Sequence, residues 1–199
     1  MPDSKDALLR KVLDFAAADG IADRSLREIA AGVGTSHRML LYHFGSREGL
    51  LAAIVGEIEG QQRATLTSLA AQGGPDDVAA RLWEQVSSPE LRPFVRLFFE
   101  VFALAVRGAP GTEKLLEGLT STWVEDAVRA AEALDVPADR ALMRLGVAVT
   151  RGLLLDLLAG TPRAEVDAAY ERFRQTYSRP TADSENSAVD KVVNEGRLR

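Results

Sequence analysis

Residues 24–51 read "RSLREIAAGVGTSHRMLLYHFGSREGLL", and how this stretch folds decides the architecture of the N-terminal quarter of the chain. Ser25 followed three residues later by Glu28 has the spacing of a capping box, in which a hydroxyl and a carboxylate each satisfy an orphan amide at a helix start. Ile29 and Ala30 supply the apolar side, and Gly32 and Gly34 stop that helix almost at once. Ser36 caps a second short helix through Met39, Leu40 and Leu41 to Phe44. Gly45 ends it, and Ser46 opens a longer helix with Leu50, Leu51, Ile54 and Ile58 on one face. Upstream, Leu8, Val12, Phe15 and Ala16 recur with helical spacing over residues 5–19, and Gly20 supplies the stop. Three short helices, the last two joined by a tight glycine turn, describe a helix-turn-helix module.

The third helix of such a module enters the major groove by its N-terminal end. Thr35, Ser36, His37 and Arg38 stand at that end here. Hydroxyls bond bases or phosphates, and a guanidinium grips guanine through two parallel bonds. Met39 or Leu41 meets a thymine methyl, one of the two facing the core. Tyr42, His43 and Arg47 lie further along, placed for phosphates. Ser25 and Arg27 on the preceding helix complete the candidate DNA-binding set. The start of the fourth helix, at Ser46, offers outward amides as a phosphate site. Blander readings exist for each residue: the serines as caps alone, Tyr42 and Phe44 as core, the histidines as surface or core decoration.

Charge supports the sharper reading. The chain has 199 residues and a formal net charge of -5, which argues against non-specific binding of polyanions. Yet the segment from Arg24 to Arg47 holds four arginines against one glutamate, with both histidines of the chain beside them. With 46% hydrophobic and 27% charged residues, the composition is that of a globular domain with a proper core. Zero cysteines exclude disulfides and thiolate metal sites. Two histidines alone argue against a structural zinc, and no metal or cofactor is implied. The start lacks the basic and apolar regions of a signal peptide, and no apolar run is long enough to cross a bilayer. A cytoplasmic location without membrane association is therefore expected.

Beyond a Gly-Gly-Pro break near residue 74, five more helical segments are predicted, at about 76–87, 90–107, 112–134, 138–159 and 162–178. From Arg179 onward the chain is polar and lacks a sustained apolar stripe, so residues 179–199 are expected to form a flexible tail. No strand pattern or internal repeat is visible. The expected fold is all-α with about nine helices. Residues 1–46 form a three-helix helix-turn-helix domain, and residues 47–178 form a larger helical bundle.

Residues 8–54, "LLRKVLDFAAADGIADRSLREIAAGVGTSHRMLLYHFGSREGLLAAI", resemble the DNA-binding domain of the tetracycline-repressor (TetR) family. The family's Ala-Gly-Val-Ser turn is matched by Val33, Gly34, Thr35 and Ser36. Its Leu-Tyr-x-His-Phe is matched by Leu40, Leu41, Tyr42, His43 and Phe44, and its Ser-Lys-Glu by Ser46, Arg47 and Glu48. Leu41 replaces a tyrosine that often touches phosphate in the family, and Arg38 and Met39 stand where small residues are frequent. The resemblance implies a transcriptional regulator, most often a repressor, whose second domain binds a small effector and forms a homodimer on a palindromic operator.

The remaining sequence is compatible with that implication. Phe94, Phe98, Val101, Phe102 and Ala105 share one side of a helix, and Trp123 sits on an apolar stripe of the next. Trp83, Phe98, Phe102, Trp123 and Met143 are the candidate ligand-binding residues, with Thr120, Ser121 or Thr150 as polar contacts. A mainly apolar effector follows from that lining. Over 138–159, Leu142, Leu145, Val149 and Leu153 form one stripe, and Met143, Val147, Leu154 and Leu158 form another. A helix apolar on two sides must be covered on both. Leu145, Val149, Leu153, Tyr170 and Phe173 are thus the candidate dimer interface. A monomer with a central helix is the competing reading.

An enzyme is not expected: Gly-x-Ser-x-Gly, phosphate-loop and His-Glu-x-x-His patterns are all missing. A helical interaction protein with a degenerate DNA-binding module remains the alternative function.

Overall fold

The computed structural model describes residues 4–21 and 23–177; the expected tail lies outside them. Among the described residues the chain is all helical. The elements are α1 (Lys5–Asp19), α2 (Leu26–Gly32), α3 (His37–Phe44), α4 (Arg47–Ala70), α5 (Pro75–Val86), α6 (Arg92–Val106), α7 (Glu113–Gly118), α8 (Ser121–Ala133), α9 (Arg140–Ala159) and α10 (Arg163–Tyr177). None of these helices is long and apolar enough to cross a membrane.

The segment expected as one helix over 112–134 divides into α7 and α8. Gly118 weakens the helix there. The carbonyl of Leu119 accepts a hydrogen bond from Arg151 Nη2 at 2.8 Å, and the Thr120 hydroxyl accepts one from Arg151 Nη1 at 2.9 Å. A side chain from α9 therefore fills the break.

Leu8, Val12, Ile29, Leu40, Leu50, Leu51 and Ile54 are fully buried in the core of the first four helices. The same core runs on through Leu97, Phe98 and Val101 of α6 to Leu119. Burial of each such side chain contributes roughly 1.5–3 kcal/mol. The core of the first three helices is thus continuous, through α4, with that of α6. Further along α4, Leu66 and Ala70 pack with Val78 and Ala130. A third cluster joins α5 to α10: Trp83 stacks on Tyr170 at 4.4 Å between ring centroids. Its indole N–H donates to Asp167 at 2.8 Å, and the Tyr170 hydroxyl donates to the Ala79 carbonyl at 3.0 Å.

Helix α9 differs from the others of its length. None of its 20 residues is fully buried, and Leu145 and Leu155 are 49% and 50% exposed. Its Arg151 reaches inward, over the Phe98 ring at 5.2 Å and to within 3.7 Å of Glu59 on α4. Glu59 in turn accepts the Trp123 indole N–H at 2.6 Å. Four helices meet at this polar node inside the bundle.

Candidate nucleic-acid interface

The local chemistry of residues 25–46 explains how α3 is presented. The capping box forms in full: Glu28 N–H donates to Ser25 Oγ at 3.3 Å, and Ser25 N–H donates to Glu28 Oε2 at 2.8 Å. Those bonds from Ser25 hold the Glu28 carboxyl below the usual carboxylate range. At the other end of α2, Thr35 N–H bonds the Ala30 carbonyl at 2.9 Å and Gly34 N–H bonds that of Ala31 at 3.3 Å. This is the Schellman pattern, and Gly34 at φ +68° takes the left-handed position that it requires. Ser36 then caps α3 by accepting Met39 N–H at 3.2 Å.

On α3 the apolar residues divide cleanly. Leu40 and Phe44 are buried against α1 and α4, while Arg38, Leu41 and Tyr42 face solvent, Tyr42 with 79% of its surface exposed. Of the pair Met39 and Leu41, it is Leu41 that points out; Met39 is half-buried. Thr35 and His37 are half-buried at the helix entrance, and Ser25, Arg27 and Ser36 are exposed. Arg38, Leu41 and Tyr42, three and four positions apart, therefore share an outward strip of α3, a helix with no acidic residue, and Arg27 is exposed on α2.

Three of the expected DNA contacts have other structural work. Arg47 is half-buried, and its Nε donates to the Arg24 carbonyl at 2.8 Å, tying α4 to the α1–α2 loop. His43 lies edge-on to Tyr42, with ring centroids 5.0 Å apart, and its Nε2 is buried with no hydrogen-bond partner among the described residues. At the start of α4 the Gly49 amide is taken up within the chain and is not one of the outward amides expected there. Ser46 Oγ accepts Gly49 N–H at 2.9 Å and donates to the Pro110 carbonyl at 2.9 Å. A Cβ on Gly111 would stand 2.9 Å from Gly49 Cα, so the α6–α7 loop sits directly on α4.

The candidate effector residues do not converge on one spot. Phe98 and Phe102 stack along α6 at 6.1 Å, and Phe98 and Trp123 both touch the Glu59–Arg151 node. Trp83 belongs to the separate α5–α10 cluster. Met143 is half-buried on α9. Burial is the main force on the node: it pushes the Glu59 carboxyl up and the Arg151 guanidinium down, against their mutual attraction. Sequence spacing gave no sign of Glu59 or Arg151. A lone charge on each of two otherwise apolar helix faces was the available signal. Of the dimer candidates, Leu145 is exposed and Val149, Leu153 and Phe173 are half-buried. Tyr170 faces inward against Trp83.

Residues 13–54 match the sequence profile of the bacterial regulatory proteins of the tetR family. Those residues are thus a TetR-type N-terminal domain. No curated protein sequence gives a significant match. The fold resembles that of several solved structures. One is a transcriptional regulator from Rhodococcus sp. Rha1, 18% identical over 88% of this chain and 96% of that one, TM-score 0.67. Another is Salmonella enterica GusR, 22% identical over 87% and 93%, TM-score 0.62. A third is Thermus thermophilus FadR, a TetR-family transcriptional repressor in complex with lauroyl-CoA, 16% identical over 90% and 98%, TM-score 0.64. Helix α3 lies within the matched residues, so its outward face is the candidate nucleic-acid interface.

Proposed function

We propose that the chain is a ligand-responsive repressor that leaves a palindromic operator when a small, mainly apolar effector binds. The observation that carries this is the division of α3: Leu40 and Phe44 anchor the helix, while Arg38, Leu41 and Tyr42 stand free of the core. Residues 1–46 are the reading domain and residues 47–178 the effector and dimerisation domain. Arg38 reads a base, Leu41 meets an apolar base edge, and Tyr42 and Arg27 contact the backbone. Thr35 and His37 flank the entrance. Ser25 and Ser36 act first as caps, and Arg47 and His43 hold the module together behind the interface.

The wet apolar stripe of α9 supports a symmetric homodimer through Leu145, Val149 and Leu153, with Phe173 of α10 beside them. Such a dimer sets two reading helices about one DNA turn apart. Phe98, Phe102 and Trp123 around the Glu59–Arg151 node support an apolar effector with one polar anchor. FadR, a protein of this fold, is in complex with lauroyl-CoA, whose acyl chain is apolar, and that likeness supports the reading. The protein acts in the cytoplasm, where its DNA lies.

Footprinting over the chain's own upstream region yields the operator. Arg38→Ala then weakens binding by roughly 1–3 kcal/mol, unevenly across operator variants, as loss of a base contact requires. Equal loss on every sequence would reassign Arg38 to a phosphate. Unchanged binding by both Arg38→Ala and Tyr42→Ala would remove α3 from the interface.

A further inference from the structure

Helix α9 leaves one face to solvent, and the residues on that face mirror each other from its two ends. Leu145 and Leu155 stand half exposed there, the only large apolar side chains of α9 that are so open. Arg144 with Asp156 and Ala148 with Gly152 share the face, all four exposed. Ala141 and Ala159 close it at either end. The members of every pair lie at equal distances on either side of position 150. Steps of three and four positions connect them, so they form one strip. Val149 and Leu153 are half-buried and lie toward its edge.

Two features of this face have no use within one chain. Arg144 and Asp156 stand about 18 Å apart along the helix axis, at about 1.5 Å per residue, too far to pair with each other. Neither is in an ion pair among the described residues. Gly152 sits inside the helix, where glycine costs stability relative to alanine. Yet a Cβ there would meet nothing within 4 Å, so the chain's own packing does not demand it. Both features find a use once a second α9 crosses the first in the opposite direction. A twofold axis at the level of position 150 brings Leu145 to the partner's Leu155 and Arg144 to the partner's Asp156. Ala148 and Gly152 then lie at the crossing, where small residues let the helix axes approach. A parallel pairing would set Arg144 against the partner's Arg144.

We propose that two copies of this chain meet through an antiparallel contact of α9 with α9, centred on Ala148 and Gly152 and closed by two Arg144–Asp156 ion pairs. The inference rests on the homodimer reading above and fixes its face, its direction and its choice of partner. The occupant is a second copy because the face complements itself in both shape and charge. Burial of the two leucines of each chain drives association. The charges set the register and select the partner: a helix without the opposite charge at the matching end leaves Arg144 or Asp156 unmatched.

The test uses the full chain without DNA, and sedimentation velocity over a range of concentrations gives the dimer dissociation constant. The native chain is expected to dimerise. Arg144→Asp alone, or Asp156→Arg alone, puts two like-charge pairs into the contact and weakens it at least 10-fold. Both substitutions in one chain reverse each pair and restore the native constant to within about 3-fold. In an equimolar mixture of the two single variants every cross pair is again complementary. Native mass spectrometry of that mixture shows heterodimers in at least 10-fold excess over either homodimer. Gly152→Leu keeps the helical signal in circular dichroism and weakens the dimer at least 10-fold. A dimer indifferent to both single charge reversals overturns the proposal, as does a double variant as weak as the singles or a merely statistical share of heterodimers. Each of these leaves the homodimer reading standing on another face. A native chain that stays monomeric overturns both. Should a single variant lose its helical signal, the double variant and Gly152→Leu decide.

Discussion

The polar node between α4 and α9 allows a quantitative test of how the bundle is held. Glu59 and Arg151 approach to 3.7 Å with about a fifth of each side chain exposed. At an effective dielectric of 20, two unit charges at that distance attract by about 4.5 kcal/mol. Withdrawing each ion from water costs several kcal/mol. The directions of the two titrations say which wins, because burial dominates for both groups. Each charge is therefore tolerated only with its partners in place: for Glu59 the Trp123 N–H first and Arg151 second, for Arg151 the Glu59 carboxylate. Arg151→Met leaves the Glu59 carboxylate with the Trp123 N–H and the weaker influence of Arg63. It also leaves the Leu119 carbonyl unsatisfied, which alone costs about 1–3 kcal/mol. The expected penalty of Arg151→Met in the native background is about 3–5 kcal/mol. In a Glu59→Gln background the Glu59 charge is gone, and the penalty falls by about 2 kcal/mol, within the range of directly coupled pairs. Urea unfolding followed by tryptophan fluorescence, at one fixed chain concentration, measures all four proteins. Strict additivity of the two substitutions would refute the coupling and reduce the node to separate hydrogen bonds.

Other substitutions probe the remaining links. Leu40→Ala empties a fully buried site beneath α3 and lowers stability by about 2–5 kcal/mol in the same urea experiment. Gly34→Ala forces a side chain into the left-handed region and costs about 1–2 kcal/mol, read as a lower thermal midpoint; an unchanged midpoint would deny the strain. Leu145→Arg leaves folding intact and yields monomers in sedimentation velocity; a persistent dimer would move the subunit interface off α9. The two perturbed glutamates give opposite pH signatures. Glu59, raised by burial, makes the native chain lose stability relative to Glu59→Gln as pH rises from about 4.5 upward, because the folded state holds that proton more tightly. Glu28, lowered by its cap, contributes stability above about 4.5 that is lost as pH falls through its depressed value, so Glu28→Gln flattens the acid limb of the curve.

Legibility followed sequence distance. The caps at Ser25, Ser36 and Ser46 and the turn at Gly34 were readable because each closes within a few residues, so spacing alone carries the geometry. The outward face of α3 was readable for the same reason, from the positions of Leu40 and Phe44. What failed was long-range. The Arg47 bond to the Arg24 carbonyl, the Pro110 lid on Ser46 and the Glu59–Arg151 approach join segments 23, 64 and 92 positions apart. Nothing in local periodicity encodes those meetings. The surroundings of Trp83 were likewise not legible: it is an aromatic on an amphipathic helix, and its stack on Tyr170 depends on how α10 returns across α5.

The length of α4 sets a scale for transmission. Its 24 residues span about 36 Å at 1.5 Å per residue. A rod of that length turned by about 5° carries its far end through about 3 Å, close to the 3.4 Å rise between neighbouring bases along a strand. A tilt small enough to leave the packing of the bundle intact is therefore enough to put a reading head out of step with its sequence by a whole nucleotide.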